Sequence, residues 1–196
     1  MNKEIIIVTI SLGNDGAERI LTELARQWHQ DGHKITVIQT SPNRYGTEYA
    51  LPEGIEQIQI HTTSSNKIIR FLQEIKVLIG ILKKRPRATC LSFLSASSFI
   101  LAISSWFVKN RIVFSERNNP RKVPVGKHQQ MLRDFAFNFA DAIVFQTEDA
   151  KSYFSHTIQS RGHIIPNPIN GNLPEPYEGE RDKTIVTACR LHPQKN

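Results

Sequence analysis

Short apolar runs alternate with amphipathic segments along most of this chain, and this alternation restricts its fold more than any other feature. The run Glu4–Ile10 is typical of a strand buried on both faces of a sheet. A segment with apolar residues at helical spacing follows, and Lys34–Gln39 then forms a second run. Strands that alternate with helices predict an α/β protein with a Rossmann-like, doubly wound and mostly parallel sheet.

The rest of the chain repeats this pattern. Five further strands are predicted over Glu56–Ile60, Ala88–Phe93, Arg111–Ser115, Ala142–Phe145 and His163–Ile165. Helices are predicted around Ala17–Trp28, Ile68–Leu82, Ser98–Val108, Val125–Phe139 and Glu148–Phe154. We expect Asp15 to cap the first helix and Gly32 to end it.

The tail of the chain differs in composition. Residues 166–182 are rich in Pro, Gly and Glu and predict a linker between a domain at 1–165 and a new strand and turn at 183–196. We expect the chain to hold one complete lobe and the start of a second, so that its binding site needs residues of both.

The uncharged stretch Leu91–Val108 is the one candidate for a membrane span. It is only just long enough and contains six serines. A buried strand that leads into a buried helix fits this stretch better. The two cysteines, Cys90 and Cys189, are far apart and favour reduced thiols in a cytoplasmic protein.

Positive charge is concentrated in the middle of the chain. Ile75–Arg133 carries twelve Lys or Arg and a single acid, Glu116, whereas the remainder has thirteen bases and seventeen acids. Two interpretations remain open: solvated basic helix faces, or a surface for an anionic partner such as phosphate, acidic lipid or nucleic acid.

Four loops are expected to meet at the carboxyl ends of the strands, where α/β sheets bind ligands. The first, 11–16, has Gly13 and Gly16 before a helix start, which suits phosphate but is also compatible with an ordinary βα turn. The second offers Ser95 and Ser97, as helix caps or as ligand-binding hydroxyls. The third, Glu116–Pro120, places charged groups directly after a buried strand, either as a rim ion pair or as a site. The fourth is Gln146–Glu148.

Several motifs are absent from the sequence. It contains no Asp-x-Asp, no zinc-type Cys/His cluster, no Walker loop and no Gly-x-Ser-x-Gly elbow. We therefore expect neither a metal nor another cofactor.

Five segments resemble, in order, motifs of the family 4 glycosyltransferases. These segments are Gly16–Arg19, Leu91–Leu94, Ser115–Asn118, Ile165–Ile169 and Arg190–Asn196. The resemblance implies the N-terminal lobe of a GT-B fold, in which two Rossmann-like lobes face each other across a cleft. It implies a retaining, metal-independent transfer of a sugar from a nucleotide-sugar to a glycan or polyprenyl-diphosphate-linked acceptor in cell-surface polysaccharide synthesis.

The resemblance also suggests residue roles. Glu116, Arg117 and Asn118 would lie near the reacting sugar, and Arg190 and Lys195 would hold the donor diphosphate. The acceptor or phosphate loop would comprise Gly13, Asn14, Asp15 and Gly16, with Arg19 in the following helix turn. Most donor contacts of such enzymes lie in the second lobe, so we expect no turnover by this chain alone.

Three positions depart from the family pattern. Asp15 stands where a second glycine is common, Arg117 replaces the histidine of many members, and Cys189 stands where glycine is usual. The paired-glutamate donor motif is absent from the sequence. The role of the family histidine therefore cannot be transferred to Arg117.

The resemblance also bears on the basic middle of the chain. Helices around Lys67–Arg87 and Lys127–Arg133 would contact an anionic membrane, so that we expect a cytoplasmic enzyme at the inner face of the plasma membrane.

Two alternatives are weaker. A nicotinamide-dependent oxidoreductase lobe would need G-x-G-x-x-G and an acid after the second strand, where Gln39-Thr40 stands. A nucleic-acid-binding module would need aromatic side chains interleaved with its Lys and Arg residues, so nucleic acid is not expected as a partner.

Overall fold

One seven-stranded sheet organises the structure. A computed structural model describes residues 3–13, 16–41, 49–93 and 95–168, together with 175–176, 178–179 and 183–184. The strands are β1 (Glu4–Thr9), β2 (Lys34–Gln39), β3 (Glu56–Gln59), β4 (Thr89–Ser92), β5 (Arg111–Ser115), β6 (Ala142–Phe145) and β7 (Gly162–Ile164). Their order is β3-β2-β1-β4-β5-β6-β7, and every neighbouring pair is parallel. The predicted α/β fold with a Rossmann-like parallel sheet is confirmed.

Helices cover both faces of the sheet. They are α1 (Gly16–Gln30), α2 (Lys67–Lys83), α3 (Ser95–Ser105), α4 (Lys127–Phe137), α5 (Glu148–Ser152) and α6 (His156–Gln159). The face covered by α1 has a core that includes Ile20, Leu21 and Ala25. The opposite face, which α2, α3 and α4 cover, has the larger core, in which Leu78 and Leu101 are fully buried.

The central strands do not alternate between apolar and polar residues, because both faces of the sheet are covered. In β1, Ile6 and Val8 belong to the core under α2 and α3, whereas Ile7 belongs to the core under α1. A strand that buries both faces needs apolar residues at every position. The edge strand β3 pairs only with β2 and exposes Glu56 and Gln57, as its alternating sequence predicts.

The winding direction reverses between β1 and β4. The chain first winds from β1 to β2 and β3 on one side, and then returns through α2 to β4 on the other side of β1. This reversal leaves a crevice at the carboxyl ends of β1 and β4, which is where open parallel sheets bind ligands.

Most predicted elements agree with the structure, and two need correction. Strands β2, β5 and β6 have the predicted bounds. Helix α3 begins at Ser95, three residues before the predicted start, so residues 95–98 form its first turn rather than a loop. The short helix α6 was not predicted, since Ser155–Gln159 is too short for helical periodicity to be visible.

The stretch Leu91–Val108 contains the end of β4 and the whole of α3, as favoured over a membrane span. Within the part of the chain that the structure describes, no helix is both long and apolar enough to cross a bilayer. Helix α1 ends two residues before Gly32, whose φ of +83° is the left-handed conformation that glycine adopts at helix ends. The predicted cap Asp15 lies outside the described residues, and the boundaries at 165 and 182 remain predictions.

Candidate functional site

The candidate site is the carboxyl edge of the sheet. Because all seven strands run in one direction, the segments that follow β1, β4, β5 and β6 emerge at the same edge. The structure thus brings together the four loops that the sequence predicted to meet. It also shows which of their side chains face solvent and which are held in the core.

The glycine loop after β1 is packed against a carboxylate. Gly13 is buried, and a Cβ at this position would lie 3.1 Å from Oε2 of Glu18. Gly16 begins α1 and is exposed, as is the predicted loop residue Arg19. The predicted loop residues Asn14 and Asp15 lie outside the described residues.

Glu18 is a site residue that the sequence analysis missed. Although it stands in the first turn of α1, its side chain is buried, and Ser11 Oγ donates a hydrogen bond of 3.4 Å to Glu18 Oε1. The Thr22 hydroxyl donates to the Glu18 carbonyl oxygen at 2.9 Å. A carboxylate in the first turn is favoured by the helix dipole, and here it also fills the space that Gly13 leaves. Its place within the Gly16–Arg19 motif was the available signal.

The serines at the start of α3 bond to the sheet. Ser97 is fully buried, and its hydroxyl lies 2.7 Å from the Ser92 hydroxyl at the end of β4. Ser98 donates a second bond of 3.2 Å to Ser92. The structure therefore shows the Ser97 hydroxyl in a helix-to-strand contact, whereas the sequence analysis offered it as a helix cap or a ligand-binding group of a loop. Of Ser95, the structure shows only that it begins α3.

Glu116 and Arg117 point to opposite faces of the sheet. The Glu116 amide donates to the Val144 carbonyl oxygen at 2.9 Å, so the extended β5 conformation continues through this residue. Successive side chains of an extended strand alternate between faces. Accordingly, Glu116 contacts α4, whereas Arg117 lies on the α1 side. The expectation that Glu116, Arg117 and Asn118 lie near the reacting sugar stays a prediction, and the structure adds that the first two side chains face different sides of the sheet.

The Glu116 carboxyl is enclosed. It is 4% exposed, accepts the Asn118 amide hydrogen at 3.1 Å through Oε1, and has Oε2 3.6 Å from Nη1 of Arg133. Burial raises the pKa of Glu116 to about 7, and the Asn118 amide and Arg133 only partly offset this shift. The carboxyl can therefore gain or lose a proton near neutral pH. Asn118 itself is half-buried.

Arg133 of α4 holds the segment that follows Glu116. Its Nη1 donates to the carbonyl oxygens of Pro120 at 3.0 Å and Val123 at 2.8 Å. Its guanidinium lies 4.9 Å from the ring centre of Phe154 and 5.1 Å from that of Tyr153. A fully buried arginine with these partners fixes the path of the loop. No sequence motif indicated this role for Arg133.

Arg117 connects three segments of the site. Its Cζ lies 5.0 Å from the ring centre of Phe93, and its Nη2 donates to Oδ1 of Asn167. Gln146 donates to the same oxygen at 3.2 Å. Burial lowers the pKa of Arg117 from its usual value. The side chain also lines a mainly apolar cavity of about 420 Å³ against α1, whose walls include Trp28.

A polar cavity opens beside this loop cluster. It has a volume of about 400 Å³ and lies at the carboxyl ends of β1, β2 and β3, next to the starts of α2 and α3. Its polar lining residues are Thr40, Ser41, His61, Thr62, Ser64, Arg70 and Glu74. Hydroxyls, an imidazole and a charged pair supply both donors and acceptors, as a ligand rich in hydroxyl groups requires. The sequence analysis missed this cavity, because its residues come from separate loops with no motif.

The family is decided by a match that covers most of the chain. The model of Glycosyltransferase Family 4 matches residues 14–172. This chain belongs to glycosyltransferase family 4. No curated protein matches the sequence significantly.

Solved structures with the same fold include one in complex with UDP-glucose and one named as a galactosyltransferase. The Anabaena protein HepE in complex with UDP-glucose shares 13% identity at a TM-score of 0.64, over 85% of this chain and 44% of HepE. The lipopolysaccharide outer core galactosyltransferase WaaB shares 12% identity at a TM-score of 0.64, over 85% of this chain and 46% of WaaB. The family 4 chain thus spans less than half the length of these proteins and is similar to one lobe of their GT-B fold.

The fold alone does not identify the reaction. The UDP-GlcNAc 2-epimerase of Methanocaldococcus jannaschii also matches, with 14% identity and a TM-score of 0.61 over 85% of this chain and 46% of that chain. One architecture therefore serves transferases and an epimerase. The assignment of this chain to a transferase family comes from the family model and not from the fold.

Two predicted donor residues of the family 4 chain, Arg190 and Lys195, lie outside the described residues. Among those that the structure describes, no three His, Cys, Asp or Glu side chains are grouped as a metal site would require. The roles of Gly13, Gly16, Arg19, Arg117 and Asn118 in binding remain predictions. The structure adds Glu18, Arg133 and the polar cavity to them.

Proposed function

We propose that this chain is the acceptor-side lobe of a retaining glycosyltransferase. The enzyme would move a hexosyl or N-acetylhexosaminyl unit from a nucleotide-sugar to a glycan or polyprenyl-diphosphate-linked acceptor in cell-surface polysaccharide synthesis. The observation that carries this proposal is the polar cavity at the carboxyl edge of a family 4 lobe. It supports an acceptor site, because its donors and acceptors suit sugar hydroxyls.

The two cavities beside the loop cluster suit different chemistry. The polar cavity contains the Thr40 and Ser41 hydroxyls with Arg70 and Glu74, whereas the cavity beside Arg117 has mainly apolar walls. A sugar that loses water must recover its hydrogen bonds, so the polar cavity is the better acceptor site. We assign the acceptor sugar to it on that ground.

The donor side of the reaction would be supplied by the second lobe. Negative charge grows on the departing diphosphate in the transition state, and fixed cations with backbone amides stabilise it. Arg190 and Lys195 are proposed for this role, and we propose that backbone amides of the Gly13–Gly16 loop assist them. We propose that no metal is required; EDTA should then leave the activity of the full-length protein unchanged.

The acceptor assignment can be tested by NMR on the isotope-labelled chain. Titration with hexoses, N-acetylhexosamines and disaccharides should shift the amide signals of Ser41, His61 and Thr62, while UDP should not shift them. The variant Thr40→Val removes one cavity hydroxyl and should weaken sugar binding about tenfold, as the loss of one hydrogen bond implies. Thr157→Val, on the exposed surface of α6, is the matched control and should not.

Two results would contradict the proposal. The first is a stronger response of the cavity signals to UDP than to any sugar. The second is transfer from a UDP-sugar by this chain alone, which would place the donor site within it. A coupled assay that detects free UDP measures this second outcome.

A further inference from the structure

The loop between β5 and α4, residues 117–126, begins with the candidate site residues Arg117 and Asn118. The structure describes all of this loop, which forms neither a helix nor a strand. It turns back on itself at Asn119, whose carbonyl oxygen accepts the amide hydrogen of Val123 at 2.9 Å. The position of such a loop depends on the contacts that its backbone makes with the rest of the protein.

One buried guanidinium holds the backbone of this loop. Nη1 of Arg133 donates to the carbonyl oxygens of Pro120 at 3.0 Å and Val123 at 2.8 Å. The guanidinium is itself held in place, because it lies against the rings of Tyr153 and Phe154. The path of the loop therefore depends on where this one charged group donates its hydrogens.

Glu116 provides a third acceptor for the same nitrogen. Its Oε2 lies 3.6 Å from Nη1 of Arg133, is buried, and finds no hydrogen-bond donor among the residues that the structure describes. Nη1 carries two hydrogens, and the two loop carbonyl oxygens accept both. An ionised carboxylate is a stronger acceptor than a peptide carbonyl, whereas a protonated carboxyl competes less for these hydrogens. The observed geometry is the one expected for a neutral Glu116.

We propose that Glu116 and Arg133 are positioning residues that form a proton-controlled clamp on the β5–α4 loop. With a proton on Glu116, Arg133 donates to Pro120 and Val123 and holds the loop. When the proton passes to solvent, the carboxylate attracts the guanidinium, Nη1 exchanges a carbonyl acceptor for Oε2, and the loop is released.

The charged groups that act on Glu116 come from α4. They are Arg133 and Asp134, and Nε of Arg133 donates to Oδ1 of Asp134 at 2.9 Å. On the α5 side, Asp149 is paired with Arg121 of the loop at 3.3 Å. Burial raises the pKa of Glu116 to about 7, so the clamp should change state near neutral pH.

The clamp contacts the candidate site in two places. The Asn118 amide donates to Oε1 of Glu116 at 3.1 Å. Pro124 and Arg133 line a groove of about 460 Å³ that shares Arg70 as a wall with the polar cavity. Release of the loop should therefore displace Asn118 and reshape the approach to the cavity. This consequence for sugar transfer rests on the proposed function, whereas the clamp itself does not.

NMR on the isotope-labelled chain at a series of pH values tests the clamp. The amide signals of Asn119, Lys122 and Val123 should shift together with one midpoint near pH 7. Above it, the protection of the last two amides from hydrogen exchange should fall roughly tenfold or more, as the loss of a hydrogen bond to a charged donor implies. In Glu116→Gln, which cannot ionise, the loop signals should keep their low-pH positions. Glu53→Gln, at an exposed position, is the matched control and should titrate like the wild type.

Arg133→Lys tests the other half of the clamp. Lysine keeps the charge but lacks the planar fork that reaches two carbonyl oxygens at once. At about pH 6 its loop signals should already resemble those of the released wild type. Thermal unfolding checks that this buried change leaves the chain folded; if it does not, the comparison of Glu116→Gln with the wild type decides alone.

The pH dependence of transfer by the full-length protein tests the positioning role. With a pKa of about 7, Glu116 is about nine-tenths protonated at pH 6 and about one-tenth at pH 8. The ratio of the transfer rate at pH 8 to that at pH 6 should therefore be about tenfold higher in Glu116→Gln than in the wild type, whatever the absolute rate of the variant. A purely structural role would lower both rates by the same factor and leave the ratio unchanged.

Three results would overturn the proposal. They are loop signals of the wild type that do not titrate near pH 7, equal titration in Glu116→Gln, or equal rate ratios in the variant and the wild type. If the loop titrates as expected but the full-length protein transfers no sugar, the clamp is supported and only the proposed function fails.

Discussion

Replacement of Glu116 by Gln should change how stability depends on pH. The folded protein raises the pKa of this carboxyl from 4.5 to about 7. The folded state therefore binds the proton more tightly than the unfolded chain does. Stability from this proton is fully present below pH 4.5 and is lost as the pH rises through about 7.

The size of the effect follows from the two pKa values. Each pKa unit corresponds to about 1.4 kcal/mol, so ionisation of Glu116 should cost up to about 3 kcal/mol of unfolding free energy at alkaline pH. Most of this change, roughly 2–3 kcal/mol, is expected between about pH 5 and about pH 8. Glu116→Gln cannot ionise, but it keeps an oxygen that can accept the Asn118 amide hydrogen. Relative to the wild type, the variant should gain stability steadily over this range.

Urea unfolding at a series of pH values measures this difference directly. The quantity of interest is the unfolding free energy of the variant minus that of the wild type, because other titrating groups cancel in it. Glu53→Gln is the matched control, since it removes the same charge from an exposed side chain. A difference for Glu116→Gln that does not vary with pH, or that falls as the pH rises, would refute the assigned cause of the shift.

Two glycine substitutions should have opposite effects on the unfolding free energy. In Gly162→Ala the new Cβ would lie 2.7 Å from the buried ring of Phe145 and 3.1 Å from the Gln159 carbonyl oxygen, so we expect a loss of about 1–3 kcal/mol. In Gly80→Ala nothing lies within 4 Å of the new Cβ, and alanine in the exposed middle of α2 should stabilise by about 0.5–1 kcal/mol. Chemical denaturation of both variants checks the signs; an equal loss in both would show that the packing around position 162 does not set its cost.

The strands could be predicted because one physical condition dominates them. A central parallel strand is buried on both faces, so the apolar run has the same bounds as the strand, as Arg111–Ser115 and Ala142–Phe145 show. The parallel order and the meeting of four loops at one edge then follow from connectivity. These features account for the correct prediction that the four loops meet at one edge of the sheet.

The orientation of Glu116 and Arg117 could have been predicted from the same principle. Neighbours in an extended strand face opposite sides, and β5 continues past Ser115 because the Glu116 amide bonds to β6. The period of the strand is enough to indicate that these two side chains face different sides, whereas their roles near the reacting sugar stay predictions.

Other features were beyond the sequence. Ser95–Ser98 has the composition of a helix cap, yet these residues form the first turn of α3, and the Ser97 and Ser98 hydroxyls bond to Ser92. The polar cavity is built where the β2 and β3 ends meet α2, and no local pattern marks Thr40 and His61 as neighbours. Tertiary contacts of this kind are set by the register of strands, which composition does not encode.

The two faces of helix α4 differ in their relation to the candidate site. Arg133 contacts Glu116 and holds the loop through Pro120 and Val123 from the buried face. Met131 lies on the exposed face. A change at Met131 should therefore leave the pKa of Glu116 unchanged, whereas loss of the Arg133 charge should raise that pKa further, because Arg133 lowers it in the intact protein.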